Sequence, residues 1–206
     1  YRVVGGVNFY QRKEIKLILA YLKSINNDQD DVAVRRVVNV PKRGIGATTE
    51  TKAAEYADQW GNSLYEAFKQ VDGIPGLGRA AAKINGFVNL IQVFRTKAEY
   101  MSLAELYDEV LEDTGYLKEL QAEQTDEATT RIENLDELRN KIVAYEEETE
   151  QPSLNELLEQ IALVADVDNM DDSDNKVILM TLHSAKGLEF PYVYLCGMED
   201  GLFPSY

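Results

Sequence analysis

The 206-residue sequence has few of the side chains that bind transition metals or form disulfides. Cys196 is its single cysteine and His183 its single histidine, which excludes an internal disulfide and argues against a zinc site. We therefore predict no metal site. No run of about 18 apolar residues occurs, so we expect no membrane-spanning segment. A chain so poor in thiols suits the cytoplasm, and this is the compartment we expect.

Positive charge is scarce in the second half of the sequence. Residues 1–100 carry 15 basic and 10 acidic side chains, whereas residues 101–206 carry 6 basic and 26 acidic ones. The net charge of −15 therefore hides a mildly basic half. An acidic total argues against nonspecific coating of nucleic acid, but it leaves room for a local basic patch. A solvated surface with uneven charge would give the same composition.

Apolar residues at helical spacing fill most of the chain. Positions 15, 18, 19 and 22 predict a first helix, and a helix that starts after Thr48 or Thr49 should end near Gly61. Ser153 and Glu156 form a capping-box pattern. Further helices are predicted over residues 32–38, 63–70, 79–98, 102–112, 126–147 and 153–165.

Strand-like residues lie at both ends of the chain. Tyr1–Val4, Lys176–Leu182 and Tyr192–Gly197 are apolar runs typical of buried parallel strands. The predicted fold class is therefore mainly α with a small parallel β part, in which a helical insertion is framed by strands of an α/β domain. Because the sequence opens on a strand-like segment without Met, we expect it to be a piece of a longer protein.

Two short motifs combine residues that suit phosphate binding. A polar cluster lies at the C-terminal end of the strand that ends at residue 182, at the edge where open α/β sheets bind ligands. Its members are Thr181, His183, Ser184, Lys186, Gly187 and Glu189. Glu189 has the chemistry to accept hydrogen bonds from a ribose. An ordinary exit from a strand into a loop would explain the same residues.

The second motif is a tight turn, Lys42-Arg43-Gly44-Ile45-Gly46. Its two glycines allow the backbone N–H groups to approach a phosphate closely, and Lys42 and Arg43 add charge. Taken alone, it is better explained as a plain turn between two helices. We interpret Arg12 and Glu14 as structural, through capping or an ion pair, and the single tryptophan, Trp60, as a core residue.

Several of these segments together resemble one family. Leu179–Phe190 resembles motif V of the PcrA/UvrD/Rep-type superfamily 1A DNA helicases, and Tyr194–Pro204 resembles the strand and loop that follow it. Tyr1–Lys16 is similar to the segment that enters their subdomain 2B, and Val38–Gly46 to their Gly-Ile-Gly turn. The resemblance implies RecA-like subdomain 2A at residues 1–23 and 171–206, and helical subdomain 2B at residues 24–170.

The resemblance also implies roles for the two motifs. Thr181, His183, Ser184 and Lys186 would contact single-stranded DNA and couple it to the nucleotide, while Gly187 and Glu189 would bind the nucleotide. The turn from Lys42 to Gly46, with Arg43, Gly44 and Ile45 between them, would meet duplex DNA.

The function implied by the resemblance is that of an ATP-dependent 3′-to-5′ helicase of DNA replication or repair. ATP and Mg²⁺ would be cofactors of the whole protein, but the sequence has no GxxxxGK[ST] phosphate loop. We therefore expect this piece to be inactive alone and to bind neither cofactor. Its expected partner is a junction of single-stranded and duplex DNA. The alternatives are an autoinhibitory or protein-binding module that uses the acidic face of Leu103–Glu159, and a nuclease-fused relative.

Overall fold

The computed structural model describes residues 9–168, with the backbone alone for 166–168, together with residues 185 and 189–196. The chain divides into two units, residues 1–169 and 170–206. In the first unit a short 3-10 turn, Phe9–Gln11, leads into helices that fill the rest. These are α1 Lys13–Asn26, α2 Asp31–Val37, α3 Ala47–Trp60, α4 Leu64–Lys69, α5 Gly78–Lys97, α6 Leu103–Asp113, α7 Tyr116–Glu123, α8 Asp126–Glu148 and α9 Leu154–Asp168.

Helix α1 lies at the centre of the first unit. It packs against α2, α5, α6, α8 and α9, and ten of its fourteen residues are buried. A helix that is apolar almost all round belongs in a core, since each fully buried Leu or Ile contributes about 1.5–3 kcal/mol. Helix α1 therefore holds five of the later helices together.

Aromatic side chains fill the space between α4 and α5. Phe87 meets Tyr65 and Phe68 edge to face, with ring centroids 6.5 and 6.2 Å apart. All three are fully buried. Such edge-to-face pairs add a directional attraction to their burial, so they fix the angle at which α5 crosses the helices before it. That angle brings the start of α5 to the turn between α2 and α3.

The predicted helices are confirmed, with differences at their ends. Gly61 ends α3 in the left-handed conformation as expected, but the residue that caps its start is Gly46 rather than Thr48 or Thr49. Helix α7 was not predicted, because Gly115 and Gln124 enclose too few residues for a clear period. Within the described part of the chain, every helix is too short or too polar to cross a membrane.

The predicted strands lie largely outside the described residues. Tyr1–Val4 and Lys176–Leu182 lie outside the described residues. Residues 192–196 of the predicted strand Tyr192–Gly197 are described, and they are exposed and form no strand. The buried strand predicted there is therefore not shown for these residues. The assignment of both flanks to a RecA-like domain stays a prediction, and its boundary at residue 24 falls inside α1.

Candidate functional site

The connection between α2 and α3 forms a tight turn that is organised by one side chain. Oδ1 of Asn39 accepts hydrogen bonds from the backbone N–H groups of Arg43 and Ile45, at 2.9 and 3.1 Å. Between these two residues Gly44 has a φ of 72°, in the left-handed region that favours glycine. Ile45 is buried and fastens the turn to the core. The turn is therefore a rigid feature rather than a loose loop.

The exposed side of this turn presents backbone donors. Gly44 and Gly46 are both exposed, and Gly46 is the capping residue of α3. Among the described residues, no acceptor lies against the N–H groups of Gly46, Ala47 and Thr48, whereas Thr49 bonds to the Gly46 carbonyl at 2.9 Å. Unsatisfied N–H groups and the positive end of the helix dipole together favour an anion at this position.

Arg43 points into the protein instead of toward this surface. Its Nη1 donates to the backbone carbonyls of Val37 at 3.0 Å, Pro41 at 3.3 Å and Val38 at 3.4 Å. These carbonyls belong to the end of α2 and the start of the turn, where acceptors are left without helix partners. The guanidinium that the sequence suggested for phosphate is therefore already bonded within the chain.

Lysines from three elements supply the exposed positive charge around the turn. Lys42 is exposed within it, and the ammonium of Lys83 on α5 donates to the Gly44 carbonyl at 3.4 Å. Lys52 on α3 lies over Gly76, its Nζ 3.1 Å from where a β-carbon on that glycine would be. None of the three lysines has an ion-pair partner among the described residues. Sequence reasoning missed Lys83, because only the packing of α5 brings it here.

A groove of about 680 Å³ opens beside the turn. The start of α1, the end of α2 and the connection after α2 line it with cations, and α7 lines it with Glu119 and Glu123. Arg131, also in the lining, is paired with Glu123 and Glu127. Four lining cations have no ion-pair partner among the described residues: Lys13, Lys16, Arg36 and Lys42. The positive surface therefore extends from the turn into the groove.

Comparison with known proteins identifies the family of the chain. The family model for the UvrD-like helicase C-terminal domain matches residues 1–206. The chain belongs to this family. It is 44% identical over 210 residues to the ATP-dependent DNA helicase PcrA of Bacillus subtilis, and 45% identical over 206 residues to PcrA of Staphylococcus epidermidis. PcrA of Staphylococcus aureus is 44% identical over 206 residues. Each match covers 99% of this chain and 28% of the relative.

The polar cluster from Thr181 to Glu189 of this UvrD-like chain lies largely outside the described residues. Thr181, His183, Ser184, Lys186 and Gly187 are not described, so their expected roles stay predictions. Glu189 is described and is exposed, with no hydrogen-bond or ion-pair partner among the described residues. The described residues show no phosphate cradle at this motif, and within them no group of three His, Cys, Asp or Glu side chains is placed to bind a metal ion.

Proposed function

We propose that this chain is the duplex-docking part of an ATP-dependent 3′-to-5′ DNA helicase that works in replication or repair. Its family and the printed names of its PcrA relatives support the activity of the whole protein. The role of this part is supported by the turn between α2 and α3. ATP and Mg²⁺ would serve the whole protein, and the residues from Thr181 to Glu189 would link the nucleotide to single-stranded DNA.

The observation that carries the docking role is the combination of free donors and free charge at one place. The exposed N–H groups at Gly46, Ala47 and Thr48 lie beside Lys42 and Lys83. Backbone donors and lysines are the groups with which proteins bind DNA phosphates. Lys42 belongs to both the turn and the groove, so the cations of the groove extend the same surface.

This surface would hold a duplex without reading its sequence. Phosphate contacts fix the position of a protein on DNA but carry no base information. The described turn offers backbone and ammonium groups, and no side-chain amide extends from its exposed face toward a base edge. We therefore expect little preference among duplexes of different sequence, as suits a helicase that moves along DNA.

The test is duplex binding by fluorescence anisotropy at 50 and 200 mM salt. If two or three phosphates are neutralised, the fourfold rise in salt should weaken binding about 10- to 40-fold. Lys42→Glu and Lys83→Glu should each weaken binding and make it less sensitive to salt. Lys118→Glu is the matched control, since Lys118 is exposed on α7 outside the lining of the groove and its change in charge is the same.

Two results would count against the docking role. Equal weakening by all three substitutions would mean that total charge, not the turn, governs binding. No binding of duplex by the wild-type chain at 50 mM salt would favour the alternative of a protein-binding or autoinhibitory module. The acidic helices from Leu103 to Glu159 would then be the surface to examine.

A further inference from the structure

Arg43 lies in the middle of the exposed turn, yet its guanidinium is held between two aromatic rings of the core. The guanidinium carbon is 5.8 Å from the ring centre of Tyr21 and 5.7 Å from that of Phe87. Tyr21 comes from α1 and Phe87 from α5, and both are fully buried. A cation over an aromatic face is attracted to it, more strongly when water is excluded. Arg43 thus ties the turn to two helices at once.

The hydroxyl of Tyr21 completes this arrangement. It accepts a hydrogen bond from Nη2 of Arg43 at 2.7 Å, and it donates to the carbonyl of Val40. Nη1, the other terminal nitrogen of the guanidinium, donates to the Val37 carbonyl at the end of α2. The two terminal nitrogens of Arg43 therefore bond to different segments of the chain. The side chain of Arg43 is therefore bonded to the end of α2, to the first residues of the turn and to α1.

We infer that Arg43 is a positioning residue for duplex docking and makes no contact with DNA itself. By binding the carbonyls on the inner side of the turn, it leaves the N–H groups of Gly46 and Ala47 facing outward. Asn39 does the complementary task, because it binds the inward N–H groups of Arg43 and Ile45. This inference rests on the proposed docking function, and it replaces the phosphate-binding role that the sequence suggested for Arg43.

The chemistry of the two cationic side chains makes the inference testable. Arginine has a planar fork of five N–H donors, whereas lysine has one ammonium with three donors. Arg43→Lys keeps the charge but has no fork to serve the end of α2, the turn and Tyr21 together. If Arg43 bound a DNA phosphate, lysine at this position would preserve binding, since an ammonium binds phosphate well. If Arg43 positions the turn, lysine at this position would weaken binding.

Tyr21→Phe provides a milder test at a residue that DNA cannot reach. It removes only the buried hydroxyl that bonds to Arg43 and Val40. Tyr65→Phe is the matched control, because the Tyr65 hydroxyl is also buried, donates to the Val88 carbonyl at 3.1 Å and accepts from Gln92 at 3.2 Å. Tyr65→Phe therefore controls for the loss of a buried, hydrogen-bonded hydroxyl at a site away from the turn.

The experiment measures two quantities on the same 206-residue chain. The first is duplex affinity by anisotropy, and the second is hydrogen exchange of the Ile45 amide, which needs no DNA. Loss of a hydrogen bond to a charged group should cost about tenfold or more in each, so Arg43→Lys should weaken binding and speed exchange by about tenfold. Tyr21→Phe should change both in the same direction, and Tyr65→Phe should change neither. The double variant Arg43→Lys/Tyr21→Phe should match Arg43→Lys alone in duplex affinity and in exchange rate, because both substitutions disrupt the same group of hydrogen bonds.

Each outcome separates this inference from the docking proposal. If Arg43→Lys and Tyr21→Phe bind duplex and exchange like the wild type, Arg43 does not position the turn and the inference is overturned. Faster exchange with unchanged duplex affinity would also overturn it, because the held geometry would then be irrelevant to DNA. If the wild-type chain binds no duplex, the docking proposal fails, while the exchange data still show whether Arg43 holds the turn.

Discussion

The side-chain amide of Asn134 donates a hydrogen bond to the carboxylate of Glu14 at 2.6 Å, and both side chains are buried. On its other side Asn134 accepts a hydrogen bond from Arg12. The two residues that the sequence suggested as a local pair are therefore joined through α8, which lies 120 residues later. A buried carboxylate needs such partners, so this contact anchors α8 on the start of α1.

Replacing Asn134 with leucine should destabilise the protein strongly. The side chains are similar in size, so the main effect is a buried Glu14 carboxylate without its hydrogen bond. An unsatisfied buried charge costs about 3 kcal/mol or more, which corresponds to a fall of about 6–12 °C in melting temperature for a chain of this length. Thermal unfolding followed by circular dichroism measures this fall.

Asn140→Leu is the matched control, since Asn140 lies on the same helix and is exposed. Its melting temperature should stay within about 2 °C of the wild type, as for most surface substitutions. Similar losses in both variants would mean that leucine harms α8 generally, and that the bond to Glu14 has no special weight.

The helices of this protein could be predicted from the sequence because their signals are local. Apolar spacing placed α1, and the capping-box pattern of Ser153 and Glu156 placed the start of α9, where Oγ of Ser153 accepts a hydrogen bond from the backbone N–H of Glu156 at 3.2 Å. Such patterns depend only on neighbours within one or two turns. The turn with Gly44 and Gly46 was found for the same reason.

The remaining features depend on packing between distant segments. Arg43 faces inward because Tyr21 and Phe87 come together beneath it, and no local pattern shows this. Lys83 reaches the turn because α5 crosses it. The prediction that Trp60 is a core residue is wrong, as 63% of its surface is exposed. It lies at the last position of α3, where that helix extends beyond the neighbouring core.

The two glycines of the turn should respond to substitution with opposite signs. Gly44→Ala should destabilise the protein by about 1–2 kcal/mol, because alanine is disfavoured at a φ of 72°. A β-carbon there would also lie 2.5 Å from Nζ of Lys83 and displace it. Gly46→Ser should stabilise the protein slightly, since Gly46 caps α3 at a φ of −83°, and serine is a preferred cap there. Urea unfolding measures both changes.

Gly61→Ala is the control that isolates the backbone effect in this pair. Gly61 has a φ of 66°, but no atom lies within 4 Å of the added carbon. The loss in free energy of unfolding by Gly44→Ala beyond that by Gly61→Ala then measures the effect of displacing Lys83. Gly46→Ser should in addition weaken duplex binding, because the new hydroxyl occupies the N–H groups offered to phosphate. Unchanged duplex affinity would show that these N–H groups do not contact DNA.

A carboxylate from α8 caps the start of α6, and its removal should weaken the contact between these helices. Glu146 accepts hydrogen bonds from the N–H groups of Leu103 at 2.5 Å and Ala104 at 3.3 Å. Glu146→Ala should cost about 1–2 kcal/mol, the usual loss for a helix cap. Glu147→Ala removes the same charge at an exposed neighbour and should cost far less. Equal losses in urea unfolding would assign the effect to net charge.

Buried tyrosines should make the protein less stable at alkaline pH. Burial raises the pKa of Tyr65 to about 12, against hydrogen bonding from Gln92, and burial together with Glu14 raises the pKa of Tyr116 to about 12. Burial also raises the pKa of Tyr107. Tyrosine in the unfolded chain loses its proton near pH 10. Above that pH the unfolded state binds fewer protons than the folded state, so the free energy of unfolding falls as the pH rises.

The stability contributed by these hydroxyls is thus fully present below about pH 10 and decreases between pH 10 and 12, by up to about 1.4 kcal/mol per pH unit for each tyrosine. Urea unfolding at pH 9, 10 and 11 tests this, with Tyr65→Phe as the informative variant. Its stability should start lower at pH 9, because two hydrogen bonds are lost, and then fall less steeply than that of the wild type. Tyr100→Phe, at a side chain that is 71% exposed, should fall in parallel with the wild type. If the Tyr65→Phe slope also matches the wild type, the Tyr65 hydroxyl titrates alike in both states, and alkaline loss of stability has another source.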